Sequence, residues 1–265
     1  MEIIGYAFAF LIGVLLSLLG GGGSILTVPV LVYVFNLEPR YATAYSLLIV
    51  GISSLAGSIN YFRQGLASFK TAVFFSFPSF VMVFIMRKYV VPSIPNIVFE
   101  TEKFVIFKNT LTMTCFGILM LMASFSMIRS QINLTDNIEA IKKRINYPTI
   151  FMEGLVVGSL TGFVGVGGGF LIIPILTLFV NLPMKMAVGT SLMIIAINSC
   201  FGFLGDIGQF EIDWFFIAKF LSAALIGVLL GSFISKYIKN EQLKPTFGWI
   251  TLATGTIILA KEIFF

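Results

Sequence analysis

The chain has 265 residues, 58% of them hydrophobic and only 11% charged, with 29 Phe, 25 Gly and a mean hydropathy of +1.01. Soluble domains run near 45–50% apolar and about 25% charged, so disorder, a coiled coil, a disulfide scaffold and an ordinary cytosolic enzyme are excluded; an integral membrane protein remains. The net charge of +5 reads as loop lysine and arginine obeying the positive-inside bias, and no nucleic-acid partner is expected.

Uninterrupted apolar stretches fall at 3–19, 24–36, 42–62, 70–90, 104–127, 149–164, 170–181, 186–205, 213–236 and 244–262. Each is predicted to be a helix, because hydrocarbon forces every backbone polar group to find its partner locally, and the short alternating strands of a membrane barrel are missing. The first is expected to stay in the mature protein: Met1-Glu2 offers no basic n-region, and glycines stand where a small-residue cleavage pattern would be. The segments at 24–36 and 170–181 are short for a crossing of about 30 Å at about 1.5 Å per residue. They are predicted to be half-helices that turn back near the midplane. Cys115 and Cys200 lie inside apolar runs and are expected to be small buried side chains.

The polar linker 129–147 separates a first transmembrane repeat, 1–128, from a second, 148–265. A shift of 145 residues superposes Gly20, Gly22, Gly23, Pro29 and Asn36 on Gly165, Gly167, Gly168, Pro174 and Asn181, and later Ser46, Ser54 and Gln64 on Ser191, Ser199 and Gln209. Sixteen identities in the 45 positions from 20 to 64 exceed what apolar composition alone produces, so the protein is an internal duplication. Loop charge sets the orientation. Arg129, Lys142, Lys143 and Arg144 place the linker in the cytoplasm, as Lys236, Lys239 and Lys244 do for the connection after 236, whereas the acidic loop Asp206 to Asp213 belongs outside. The repeats are then inverted. The expected fold class is an all-α polytopic membrane protein of two inverted repeats with glycine-rich helix breaks and about 8–10 membrane segments.

The glycine clusters, Gly20-Gly21-Gly22-Gly23-Ser24 and Gly165-Val166-Gly167-Gly168-Gly169, sit where one helix stops in mid-membrane and a short one begins. Glycine lets a ligand approach the main chain, and the short helices would direct unpaired N–H groups and a positive dipole end at the break. Pro29 and Pro174 each leave an upstream carbonyl free. The bland alternative is close packing of small residues and a kink. The third segments add hydroxyls and amides, among them Ser46, Ser53 and Ser54, with Thr190, Ser191, Asn198 and Ser199 in the second half. The candidate substrate-binding set is therefore Gly21, Gly22, Gly23, Ser24, Pro29, Ser46, Gly167, Gly168, Gly169, Pro174, Thr190 and Ser191.

Ionisable groups within the apolar segments are few. Lys108 and Lys219 are expected to snorkel, and Arg63 and Asp206 to be interfacial. The chain has no His, no metal-spaced cluster, no Ser-His or Cys-His pair and no phosphate-loop lysine, so neither an enzyme, a metal nor a cofactor is expected. The oligomeric state is not legible, since lipid-facing and subunit-facing surfaces share a composition.

The stretches Gly-Gly-Gly-Gly-Ser-Ile-Leu-Thr-Val-Pro-Val-Leu at 20–31 and Gly-Val-Gly-Gly-Gly-Phe-Leu-Ile-Ile-Pro-Ile-Leu at 165–176 resemble the TauE/SafE sulfite exporter family. The resemblance covers essentially the whole chain and implies a secondary transporter of the cytoplasmic membrane for sulfite, organosulfonates or similar sulfur-containing anions. The expectation is an exporter with a midplane oxyanion site worked by alternating access. Its partners are a small anionic substrate, the lipid bilayer and, for uphill transport, a coupling proton or cation. The alternatives are a passive anion channel and an uptake carrier for another small organic anion. The first copy carries Gly-Gly-Gly-Gly-Ser where the second has Gly-Val-Gly-Gly-Gly, so the half-sites are not expected to be equivalent.

Overall fold

The computed structural model describes residues 2–101, 104–129, 147–165, 168–180, 182–238 and 240–264; most of the linker, with Gly167, lies outside the described residues. Each apolar segment appears as a helix: α1 (Glu2–Leu19), α2 (Gly22–Tyr33), α3 (Pro39–Arg63), α4 (Phe69–Ile85), α5 (Lys108–Arg129), α6 (Tyr147–Val164), α7 (Gly169–Leu178), α8 (Met184–Asp206), α9 (Trp214–Ile234) and α10 (Asn240–Phe264). A π-helical turn at Met86–Val90 and a last turn at Val91–Ser93 prolong α4. Among the described residues, α3, α4 with its extension, α5, α8 and α9 are each long and apolar enough to cross a membrane. With 12 and 10 residues, α2 and α7 measure about 18 and 15 Å, roughly half a crossing.

One stretch departs from the expectation. Residues 104–107, read as the start of a helix, form strand β2 (Phe104–Phe107), which pairs antiparallel with β1 (Ile97–Thr101). Both strands consist largely of β-branched and aromatic residues, and a short apolar run of that kind does not distinguish strand from helix by periodicity. The helix begins only at Lys108.

The 145-residue relation also governs the packing. α1 lies on α9 and α6 lies on α4, each pair in backbone contact over glycines. A Cβ on Gly13 would sit 1.9 Å from the Ala224 carbonyl oxygen, and one on its counterpart Gly158 would sit 2.4 Å from that of Ser79, itself the counterpart of Ala224. Gly154, Gly158 and Gly162 form a four-residue-spaced stripe on α6, and Gly227 with Gly231 does the same on α9. Lipid supplies no hydrophobic drive between helices, so such close approach is what holds them together.

α3 and α8 cross antiparallel: Gly51 faces Ser199, Gly57 faces Leu192 and Gly202 faces Leu47. α5 and α10 are antiparallel too, with Gly117 against Leu259 and Gly248 against Ile128. The α3/α8 pair forms the centre of the molecule; its apolar windows are 72% buried, against 39% for α4, α5 and α9.

Candidate functional site

α1 stops at Leu19, where Gly20 takes φ +59°, and α2 starts at Gly22. The chain then returns toward its starting end: the Phe35 ring packs on Tyr6 at 5.8 Å between centroids, and would meet a Cβ on Gly5 at 2.2 Å. In the second half α7 starts behind Gly168, whose φ of +75° a side chain would resist. Among the described residues no side chain caps either short helix. Helix geometry leaves their first N–H groups without partners inside the helix; of these, Gly23 N donates to the Gly20 carbonyl at 3.4 Å and Leu171 N to the Gly168 carbonyl at 3.0 Å.

The two helix starts meet. A Cβ on Gly21 would lie 1.9 Å from the carbonyl carbon and oxygen of Gly169, so the breaks touch backbone to backbone and leave no slot between them in this conformation. Around them, Gly22 opens α2, and Gly23 packs under Leu16, 2.3 Å from a would-be Cβ to the Leu16 nitrogen. Ser24 Oγ donates to the Gly21 carbonyl at 2.7 Å and lies over Gly169. Pro29 and Pro174 stand inside α2 and α7. Ser191 Oγ donates to Val188 O at 2.8 Å while facing Gly20. Thr190 is drawn elsewhere, its hydroxyl accepting from Ser68 N at 2.9 Å in the connection between α3 and α4.

The α3/α8 crossing holds an unusual set of polar atoms. The hydroxyls of Ser46, Ser53, Ser54 and Ser199 and the Oδ1 of Asn198 are buried without a hydrogen-bond partner. Asn198 does use its Nδ2, on Ser79 Oγ at 2.7 Å. Ser54 and Ser199 are counterparts in the repeat, and Ser199 lies against Gly51, one turn from Ser54. A buried hydroxyl without a partner costs about 1–3 kcal/mol, so groups of this kind call for water or a solute.

A cavity of about 280 Å³ opens at the end of the molecule that holds the start of α3 and the ends of α4 and α8. Its lining includes Arg40, Thr43, Arg87, Lys108, Asp206 and Gln209. Asp206, expected to be interfacial, ends α8 with its side chain turned into the protein: it and Arg87 are each 4% exposed and form an ion pair, with Arg87 Nε donating to Asp206 Oδ2 at 2.9 Å and Nη2 donating to the same oxygen. Nη2 also donates to Thr43 Oγ1 at 3.2 Å. Lys108 Nζ bonds the carbonyls of Val91 and Ile94, and Arg40 Nη2 that of Gln209. Lys219, expected to snorkel, is exposed with its ammonium 4.1 Å from the Phe215 ring centroid. Cys200, expected buried, is exposed, with its Sγ 3.6 Å from where a Cβ on Gly51 would be.

Sequence reasoning missed the Arg87–Asp206 pair, because its members are 119 residues apart. One signal was present: the repeat counterparts of Arg87 and Asp206 are Ser232 and Tyr61, so a charge stands in one half where the other is neutral.

Apolar helices, five of them long enough to span a bilayer, and two half-length helices meeting at glycine breaks define a multi-pass α-helical membrane protein. The family model described as sulfite exporter TauE/SafE matches residues 6–258, and the chain belongs to that family. It is 27% identical over 258 residues to a probable membrane transporter protein of Xylella fastidiosa (strain Temecula1), covering 95% of this chain and 92% of the relative. It is 23% identical over 269 residues to the probable membrane transporter protein YunE of Bacillus subtilis, covering 94% and 93%. No solved structure matches. Membrane transport is its class of function.

Proposed function

We propose that the protein exports a small sulfur-containing oxyanion, such as sulfite or an organosulfonate, by alternating access around a site between the two glycine breaks. The observation that carries this reading is the convergence of two uncapped helix N-termini, at Gly21 and Gly169, one from each half. Each end bears about half a positive charge. Two such charges in contact, about 4 Å apart, repel by roughly 1 kcal/mol at an effective dielectric near 20. An anion between them would convert that repulsion into attraction. Separation of the halves, 1–128 and 148–265, would open the slot and bring Gly22, Gly23, Ser24, Gly168 and the freed carbonyls near Pro29 and Pro174 around the solute. Ser46 and Ser191 would line it from α3 and α8, whereas Thr190 stays with Ser68.

The antiparallel course of α3 with α8 and of α5 with α10 supports an inverted repeat in the membrane. The linker 129–147, with Arg129, Lys142, Lys143 and Arg144 in its sequence, joins the helix ends opposite the cavity, which supports a cytoplasmic assignment for that end and an outward-facing cavity. A negative-inside potential favours anion exit by about 2.3 kcal/mol per charge per 100 mV, whereas uptake would need a coupling proton or cation.

A thermal-stability panel on the purified protein tests the substrate class. Sulfite, thiosulfate or a sulfonate should raise the unfolding temperature in a saturable way, while carboxylates at equal concentration should not. Stabilisation by carboxylates alone would refute the assignment.

A further inference from the structure

The fold does not require the Arg87–Asp206 ion pair. At the counterpart position in the other half, Ser17 Oγ bonds Ser232 Oγ at 2.8 Å and Tyr61 Oη donates to Ser17 O at 2.8 Å, so a neutral hydrogen-bonded seam closes the same helix contact. Taking two charges out of water is costly, and well-packed neutral groups often serve stability as well or better. An ion pair placed where its symmetry mate is neutral therefore marks a function of this end alone.

The geometry of the pair is that of a replaceable partner. Nε and Nη2 both converge on one oxygen of Asp206, and the guanidinium does not make the two-oxygen fork that Arg forms best with an oxyanion. Nη1 lies against Gly165, 2.7 Å from where a Cβ would be, and has no acceptor among the described residues. Gly165 takes φ +78° at the second glycine break, so the arginine head links the cavity floor to that break. Arg40 and Lys108 line the same cavity, and among the described residues neither is paired with a carboxylate. Asn109 adds a neutral amide, while the Thr112 hydroxyl already donates to the Lys108 carbonyl at 2.9 Å.

We propose that this cavity is a binding vestibule for a small oxyanion, held by the Arg87 guanidinium in exchange for Asp206 and assisted by Lys108 and Arg40. Asp206 is an internal stand-in for the solute: it neutralises Arg87 while the vestibule is empty and yields when an anion with two acceptor oxygens arrives. The proposal rests on the reading of the protein as an anion carrier and assigns that carrier a second station, outside the glycine breaks.

The test is sulfite binding to the full-length protein in phosphatidylcholine nanodiscs, where no anionic headgroup competes, measured by calorimetry with chloride as control. Asp206→Asn removes the competitor and should tighten sulfite binding about tenfold. The neutral pair Arg87→Gln with Asp206→Asn should weaken it at least tenfold relative to wild type while eluting as folded protein. Lys108→Gln, at the rim, should weaken it several-fold and keeps the test available if the buried variants do not fold. Wild-type affinity in the folded double variant or in Lys108→Gln, or weaker binding in Asp206→Asn, overturns the vestibule and leaves the carrier reading standing. Failure of sulfite, thiosulfate and taurine alike to bind the wild-type protein overturns both.

Discussion

Asp206→Asn is the perturbation whose consequence for stability follows most directly from the structure. Asp206 and Arg87 are both 4% exposed, and both bonds between them end on one carboxylate oxygen. Two unit charges about 4 Å apart attract by about 4 kcal/mol at an effective dielectric near 20, and removal of one partner from a buried pair costs about 3–5 kcal/mol because the other charge is left unpaired. The pair borders a cavity, so the lower end applies, about 3 kcal/mol. At roughly 2 °C per kcal/mol for a chain of this length, the unfolding temperature should fall by about 6 °C in salt without oxyanions. Arg87→Gln alone should fall similarly. The double variant should recover to within about 1–2 kcal/mol of wild type, since neither charge is then stranded. Differential scanning fluorimetry on the four proteins gives the cycle. Additive losses, with the double variant the least stable, would refute the claim that the pair acts as a unit.

Ser46→Ala removes a buried, unpartnered hydroxyl, so stability should hold or rise by up to about 1 kcal/mol while sulfite flux falls in proteoliposomes; unchanged flux would take Ser46 out of the proposed site. Gly168→Ala adds a Cβ 2.2 Å from Thr161 Cγ2 at φ +75°, and should cost at least about 3 kcal/mol and most of the folded yield. Gly65→Ala, at φ +70° with nothing within 4 Å, should cost only about 1–2 kcal/mol. Equal losses in these two would show that steric contact at the second break is not what forbids a side chain. Asp213→Ala removes the carboxylate that accepts from Phe216 N at 2.9 Å at the start of α9, and a fall of about 1 kcal/mol in thermal denaturation is expected.

The helices were legible because hydrocarbon leaves a spanning backbone little choice, and the repeat was legible because glycine, proline and serine recur at a fixed offset. That offset reaches into the packing, where Gly13 on Ala224 repeats Gly158 on Ser79. Three features escaped. The hairpin at 97–107 escaped because a short run such as Phe-Val-Ile-Phe carries no period that tells strand from helix. Cys200 is exposed because an apolar run in a membrane helix does not say which side faces outward. Asp206 was read with the acidic loop that follows it, and only the fold shows that α8 carries it against Arg87 on the π-helical turn that prolongs α4.

Counterflow in proteoliposomes tests the central claim, a carrier whose two halves take turns exposing one anion site. With unlabelled sulfite trapped inside, labelled sulfite outside should enter transiently above its equilibrium level and faster than into vesicles without internal sulfite. Entry at the same rate with and without internal sulfite, scaling linearly with concentration, would identify a passive pore and contradict the account.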